Sequence, residues 1–167
     1  MKTLTILFAT AAVASLSAFA VADTPWQTIK TAPGGFSFEM PAKPKLVQRS
    51  DTTPVNAYVL VTGDGVMMAG YSEPLPFNVD ASGAKKVLDD FEKGMMGSAK
   101  LTSAGRREVQ ISGRAGCLLL FQGPKGEFWR VAAAINGDRI VFQMFIGEKG
   151  KLASPSVARF FNSLKFS

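Results

Sequence analysis

The chain has 167 residues, a formal net charge of +6, no histidine and a single cysteine. The lack of histidine excludes Ser-His-Asp and Cys-His catalysis and histidine-based zinc or haem sites, and one cysteine cannot form an internal disulfide. The basic residues are scattered and are not interleaved with aromatic residues, which argues against nucleic-acid binding.

The N-terminus has the three-part pattern of a secretory signal peptide. One basic residue, Lys2, precedes an apolar run that extends to Ala20, and small residues follow with the spacing that signal peptidase requires. We expect cleavage before Asp23, with a cut before Val21 as the alternative. An uncleaved membrane anchor is the competing interpretation, but serine and threonine residues dilute the apolar run.

Cleavage of residues 1–22 would leave one domain over residues 23–167, long enough to bury a substantial core. No later segment has the run of about 18 apolar residues that a membrane-spanning helix needs. We therefore expect a periplasmic or secreted protein with no stable membrane insertion after cleavage.

The first part of this domain contains strand patterns. After a lead-in that ends at Gly35, side chains alternate between apolar and polar, as in a strand with one buried face. Two later segments of strand-forming residues flank a Gly63-Asp64-Gly65 turn and predict a hairpin. The predicted strands cover residues 36–40, 46–52, 56–62 and 66–72.

A helix is predicted next. Apolar residues recur at intervals of three or four between Ala84 and Met95. Asp80 or Ser82 can cap the helix N-terminus, and Gly97 is the predicted stop.

Four more strands and a second helix follow. Asn136-Gly137 is the strongest hairpin signal in the chain. The strands on either side of it carry apolar residues on both faces, which indicates strands in the middle of a sheet with a layer on each side. Ser154 is a candidate N-cap, with Pro155 at the first helical position. The predicted strands cover residues 107–111, 117–122, 128–135 and 139–146.

The order of these elements predicts a single α+β domain. Short turns join most of the strands, so we expect an antiparallel sheet of about seven to eight strands covered by two main helices. No internal repeat or linker divides the chain.

Four short motifs resemble one group of proteins. They are Gly34-Gly35-Phe36-Ser37-Phe38-Glu39-Met40-Pro41, Gly113-Arg114-Ala115-Gly116, Asn136-Gly137-Asp138-Arg139 and Ala158-Arg159-Phe160-Phe161-Asn162-Ser163-Leu164-Lys165-Phe166. Together they resemble small exported bacterial proteins of PsbP/DcrB-like fold, most of them uncharacterised. The resemblance implies a PsbP-like α/β/α sandwich and, by analogy, an accessory or assembly role. It implies no catalytic or binding residue.

Two sets of sulfur side chains could support chemistry. The pairs Met67-Met68 and Met95-Met96 could bind Cu(I), but they lie in predicted core elements, which favours packing. Cys117 lies in an apolar strand segment, which favours a buried thiol over a reactive thiol or an intermolecular bridge. We predict no catalytic residue, no metal site and no cofactor.

Arginines within apolar strands are the best candidates for a binding site. Arg107 and Arg130 each share a strand face with apolar residues, so each must be paired, reach solvent or bind an anion. The simplest interpretation is an arginine near a strand end whose guanidinium reaches solvent. The functional hypothesis is an anion-binding groove that includes Arg107 and Arg130, with Trp129 or Tyr71 nearby.

Three functions remain open at this stage. We expect a non-catalytic periplasmic binding or accessory protein that contacts another envelope protein. A carrier of a small ligand or lipid, with a pocket between sheet and helix, is the first alternative. A histidine-independent hydrolase-type enzyme is the second. The sequence determines neither the partner nor the oligomeric state.

Overall fold

The computed structural model describes residues 25–48, 50, 55–76 and 79–167. The predicted signal peptide, residues 1–22, and both candidate cleavage sites lie outside them. Within the described part, the strands are β1 Gln27–Thr31, β2 Phe36–Met40, β3 Lys45–Val47, β4 Val55–Val61, β5 Gly65–Ser72, β6 Thr102–Ile111, β7 Arg114–Gln122, β8 Phe128–Asn136, β9 Arg139–Gly147 and β10 Lys165–Phe166. The helices are α1 Ala81–Ala99 and α2 Pro155–Asn162, and a short 3₁₀ turn covers Lys149–Lys151.

The strands form two antiparallel sheets. Seven strands are ordered β3-β4-β5-β9-β8-β7-β6, and β1-β2-β10 form a separate small sheet. The larger sheet and the two helices confirm the predicted α+β fold class. Strand β9 lies at the centre, as its two apolar faces indicate, because Phe142 and Phe145 point to opposite faces and both are fully buried.

The small sheet was not predicted. Strand β1 lies in the segment expected to be an extended lead-in, and β10 has only two residues. Apart from Thr31 and the half-buried Ile29, the side chains of β1 are exposed, so its sequence carries no alternating apolar pattern. Pairing with β2, whose Phe36 and Phe38 are buried, makes these segments strands.

Helix α1 covers one face of the seven-stranded sheet, which we call the α1 face. Asp80 is the N-cap, and its carboxylate accepts a hydrogen bond from the Gly83 amide at 2.6 Å. The predicted stop at Gly97 is wrong, because the helix continues to Ala99 and ends where Lys100 adopts a left-handed conformation. Ala99 and the following Leu101 are buried, so packing outweighs the cost of a glycine in the last turns.

Helix α2 and the small sheet together cover the opposite face, which we call the α2 face. Ser154 caps α2 by accepting a hydrogen bond from the Val157 amide, and Pro155 follows it, as predicted. Phe160 packs edge-on against Phe38 of β2, with ring centroids 6.4 Å apart. The larger sheet is therefore covered by a helix on one side and by a helix plus a three-stranded sheet on the other.

The predicted Asn136-Gly137 hairpin joins β8 to β9, and it also fixes the small sheet. Gly137 has a φ of 62°, which suits such a turn. The side-chain amide of Asn136 donates hydrogen bonds to the carbonyl oxygens of Gly34 and Gly35, at 3.1 and 3.2 Å. The hairpin therefore holds the turn between β1 and β2. No helix within the described residues is long and apolar enough to cross a membrane.

Candidate functional site

The structure does not bring the four predicted binding residues into one site. Arg107, Arg130 and Tyr71 point to the α2 face, whereas Trp129 points to the α1 face because neighbours in a strand alternate. Tyr71 is only 8% exposed and packs edge-on against Phe36 in the core. Trp129 and Tyr71 are therefore not part of a common groove with Arg130.

Strand β7 separates the two predicted arginines. Leu120 of β7 lies opposite Arg130, and Leu118 lies opposite Arg107 on the edge strand β6. With neighbouring strands about 4.8 Å apart, the two arginines are separated by two strand spacings across the sheet and by two residues along it. Arg107 is exposed and belongs to the edge of the sheet, whereas Arg130 is half-buried and borders α2.

The guanidinium of Arg130 is stacked on an aromatic ring without a carboxylate partner. Its central carbon lies 4.3 Å from the ring centroid of Phe161, and Nη1 donates to the carbonyl oxygen of Leu152 at 2.8 Å. Among the described residues, no carboxylate lies within ion-pairing distance of Arg130. Burial lowers its pKa, and no neighbouring charge offsets this effect. Arg130 is thus a partly desolvated cation with donors still free to bind an anion.

A second cation and a second ring lie beside Arg130. Phe128 is two residues earlier on the same side of β8, and the ammonium of Lys149 lies 5.6 Å from its ring centroid. Both rings and Leu120 are half-buried. We call this surface the basic–aromatic patch; it comprises Leu120, Phe128, Arg130, Lys149 and Phe161.

Of the five members of the patch, sequence reasoning had singled out Arg130 alone. Phe161 lies on α2, and helical periodicity alone cannot tell whether an apolar residue at the edge of the buried stripe is covered. Lys149 lies in the 3₁₀ turn, where no pattern marked it. The position of both depends on how α2 packs on the sheet.

The opposite face holds a different arginine in a network of ion pairs. Arg106 lies 2.6 Å from a carboxylate oxygen of Asp89 and 2.5 Å from one of Glu92, both on α1. Lys85 lies 3.3 Å from carboxylate oxygens of both Asp89 and Glu108. These contacts join β6 to α1. Sequence analysis singled out Arg107, but its neighbour makes the contacts with α1.

A cleft of about 410 Å³ lies beside this network, between α1 and the β6–β7 edge of the sheet. Its helix side is formed by Ala84, Lys85 and Leu88. A pocket between sheet and helix is what the carrier hypothesis requires. The strand residues that line the cleft are Arg106, Glu108, Val109, Gln110, Ala115 and Gly116.

A polar cluster joins the β4–β5 turn to the start of α2. Asp64 lies 2.9 Å from the ammonium of Lys151 and accepts hydrogen bonds from the hydroxyls of Ser154 and Ser156 at 3.3 and 3.2 Å. The hydrogen bond from Lys151 lowers the pKa of Asp64, although desolvation opposes the change. Because Lys151 is ion-paired and both hydroxyls donate to the carboxylate, this cluster holds α2 in place and does not activate a serine.

The sulfur residues are packed in the core. Cys117 is fully buried, and burial raises its pKa to about 11, which keeps the thiol protonated. Met67 and Met95 are also buried, and Met68 and Met96 pack against the core under α1. The prediction that these side chains pack in the core is confirmed by their burial or by their contacts with the core.

Comparison with known proteins identifies the fold. No family model and no curated protein matches the chain. The solution structure of cyanobacterial PsbP from Synechocystis matches with a TM-score of 0.66 at 12% identity, over 90% of this chain and 98% of that chain. A crystal structure from Bacteroides thetaiotaomicron matches with a TM-score of 0.44 at 14% identity, over 80% and 45% of the two chains. A protein of unknown function from Pseudomonas aeruginosa gives 0.40 at 15% identity, over 76% and 85%. The likeness to cyanobacterial PsbP shows that this chain has a PsbP-like fold.

Proposed function

We propose that the protein is a non-catalytic binding or accessory protein of the cell envelope, which contacts another protein through the basic–aromatic patch. Its place in the envelope rests on the signal peptide expected from the sequence. The observation that carries the proposal is the guanidinium of Arg130, which is half-buried, stacked on Phe161 and not paired with a carboxylate among the described residues.

The physical reason lies in the cost of burying a charge. A partly desolvated guanidinium is unfavourable unless an anion or enough hydrogen bonds compensate for the lost water. Arg130 receives only part of that compensation, from the Leu152 carbonyl and from the ring of Phe161. A carboxylate from a partner can bind the remaining donors in the bidentate geometry that arginine favours.

The surroundings of Arg130 favour a protein partner over a small free anion. The patch is a surface next to α2, whereas the cleft beside α1 lies on the other face of the sheet. Half-buried aromatic and aliphatic side chains surround the cation, and arginine together with aromatic residues is enriched at the centres of protein interfaces. An acidic side chain within an otherwise apolar contact fits this surface.

A matched pair of arginine variants tests the proposal. Arg159 also lies over an aromatic ring, 4.5 Å from the ring centroid of Trp26, but its Nε is 2.9 Å from a carboxylate oxygen of Glu39. We expect Arg130→Met to lose a partner that the wild-type protein captures from an extract of the bacterial envelope. Arg159→Met should retain that partner, because its guanidinium already has a carboxylate.

Capture is best measured by quantitative mass spectrometry after mild cross-linking, with both variants checked for folding by circular dichroism. A partner recovered equally with wild type and Arg130→Met would contradict the proposal. So would loss of capture with both variants, since this would indicate an effect of charge alone.

A further inference from the structure

Among the described strands, the seven-stranded sheet has one long edge without a neighbouring strand. Strand β6 forms it, and among the described strands it pairs only with β7. It has ten residues, most of them with exposed side chains, whereas β3 at the other edge has three. The outward N–H and C=O groups of an edge strand can pair with an added strand.

A β-bulge limits the usable part of this edge. The register between β6 and β7 shifts between Ser103 and Gly105, and it is regular from Arg106 to Ile111. A bulge bends the strand and interrupts pairing. The six residues 106–111 are therefore the segment on which another strand can be added.

The cleft beside α1 lies directly above this segment. Arg106, Glu108 and Gln110 line it from β6, and Ala84 and Leu88 line it from α1. An added strand would lie about 4.8 Å beyond β6, so a long side chain on its α1 side can reach across β6 to the cleft. A volume of about 410 Å³ accommodates such a side chain.

The charges of β6 disfavour a second copy of this chain in two of its antiparallel registers. When two copies pair in antiparallel fashion with their α1 faces on the same side of the joined sheet, the pair has a two-fold axis. The residue at that axis lies opposite the same residue of the other copy. Registers centred on Arg106 or Glu108 place a like charge on the symmetry axis, whereas the register centred on Arg107 also brings Arg106 opposite Glu108 twice. Like charges directly opposite each other destabilise a strand pair. Charged residues in the middle of an edge strand are a common protection against self-pairing.

We propose that β6 binds an extended segment of a different protein as an eighth strand of the sheet. The segment carries an acidic side chain opposite the exposed Arg107 and an apolar side chain next to it that enters the cleft. Since side chains alternate, the acidic residue lies on the α2 face and the apolar neighbour on the α1 face. This inference does not depend on the basic–aromatic patch, and either can fail without the other.

A short peptide provides the test. The probe is an acetylated and amidated hexapeptide, Thr-Met-Glu-Met-Thr-Val, titrated into ¹⁵N- and methyl-labelled protein. We expect amide protection from hydrogen exchange at alternate residues of 106–111 and methyl shifts at Ala84 and Leu88. The same peptide with alternate backbone amides N-methylated should not bind, because it cannot complete the ladder of hydrogen bonds.

Charge reversal at the edge gives the second measurement. Arg107→Glu should weaken peptide binding by about fivefold or more, since it replaces an opposite-charge pair with a like-charge pair. Lys30→Glu, on the exposed side of β1, should bind as the wild type does. Arg130→Met should also bind normally, which separates this test from that of the proposed function.

Several results would overturn the inference. They are peptide shifts that avoid 106–111, equal binding by Arg107→Glu, and a small molecule that fills the cleft while the peptide does not bind. A dimer in sedimentation whose interface protects the amides of β6 would also overturn it, because the second copy would then be the occupant.

Discussion

Arg106 and Arg130 lie on opposite faces of the same sheet, and their charges are balanced in different ways. Arg106 contacts two carboxylates on α1 and lies near a third on its own strand. Arg130 has a carbonyl oxygen and a ring, but no carboxylate among the described residues. Among the described residues, carboxylates of α1 and β6 lie close to the charge of Arg106, whereas none lies close to that of Arg130.

The largest expected effect concerns Cys117, which lies on the α1 face opposite Glu108 of β6. Its pKa is about 11, against an ordinary value of 9.0, so the folded protein holds about 100-fold less thiolate near neutral pH. We expect labelling by 5,5′-dithiobis(2-nitrobenzoic acid) to be slower than in urea-unfolded protein by at least about that factor. Labelling at the same rate in both states would contradict the burial of Cys117 beneath α1.

Removal of Arg106 should give the next largest effect. Arg106→Met removes the cation that contacts the buried Glu92 and leaves Asp89 with Lys85 alone, and we expect the free energy of unfolding to fall by about 2–4 kcal/mol. Urea titration measures it. Arg107→Met is the matched control, because the neighbouring side chain is exposed, and a change within about 0.5 kcal/mol is expected.

The same substitution at Arg130 should cost much less. Arg130→Met removes a hydrogen bond to the Leu152 carbonyl, but it also removes a half-buried charge that has no carboxylate partner. We expect the free energy of unfolding to stay within about 1 kcal/mol of the wild-type value. A loss of unfolding free energy as large as that of Arg106→Met, measured by urea titration, would contradict the difference between the two faces.

The smallest effect is a pH dependence at Asp64. Because its pKa is lowered in the folded state, chiefly by Lys151, its stabilising contribution is complete above the ordinary value of 3.8. That contribution is lost as the pH falls through the folded pKa. Asp64→Asn should therefore melt below the wild type at pH 7, and the gap should close in more acidic buffers. In a Lys151→Met background the gap at pH 7 should be smaller, because the hydrogen bond from Lys151 is the main cause of the lowered pKa of Asp64.

Local signals in the sequence predicted most of the fold. The caps at Asp80 and Ser154 and the Asn136-Gly137 turn each depend on a few adjacent residues, so their chemistry is visible in the sequence. The pairing of β1 and β10 with β2 depends on residues far apart in the chain. No local pattern marks such pairing.

The candidate site was less predictable for the same reason. Because side chains alternate along β8, Trp129 and Arg130 point to opposite faces of the sheet. They could belong to one binding site only if the site wrapped around the sheet to reach both faces. Which of Arg106 and Arg107 would meet carboxylates depended on where α1 packs. Arg130 was identified because an arginine within an apolar strand is unusual in any fold.

The connectivity of the small sheet has a consequence for how the chain folds. Phe160, Leu164 and β10 come after every strand of the larger sheet in the chain, and they supply part of the core on the α2 face. A polypeptide that emerges N-terminus first, from a ribosome or a translocation channel, cannot cover that face until residue 166 is free. Folding of this domain is thus delayed until β10 has emerged, and before then the chain exposes apolar surface that a chaperone can bind.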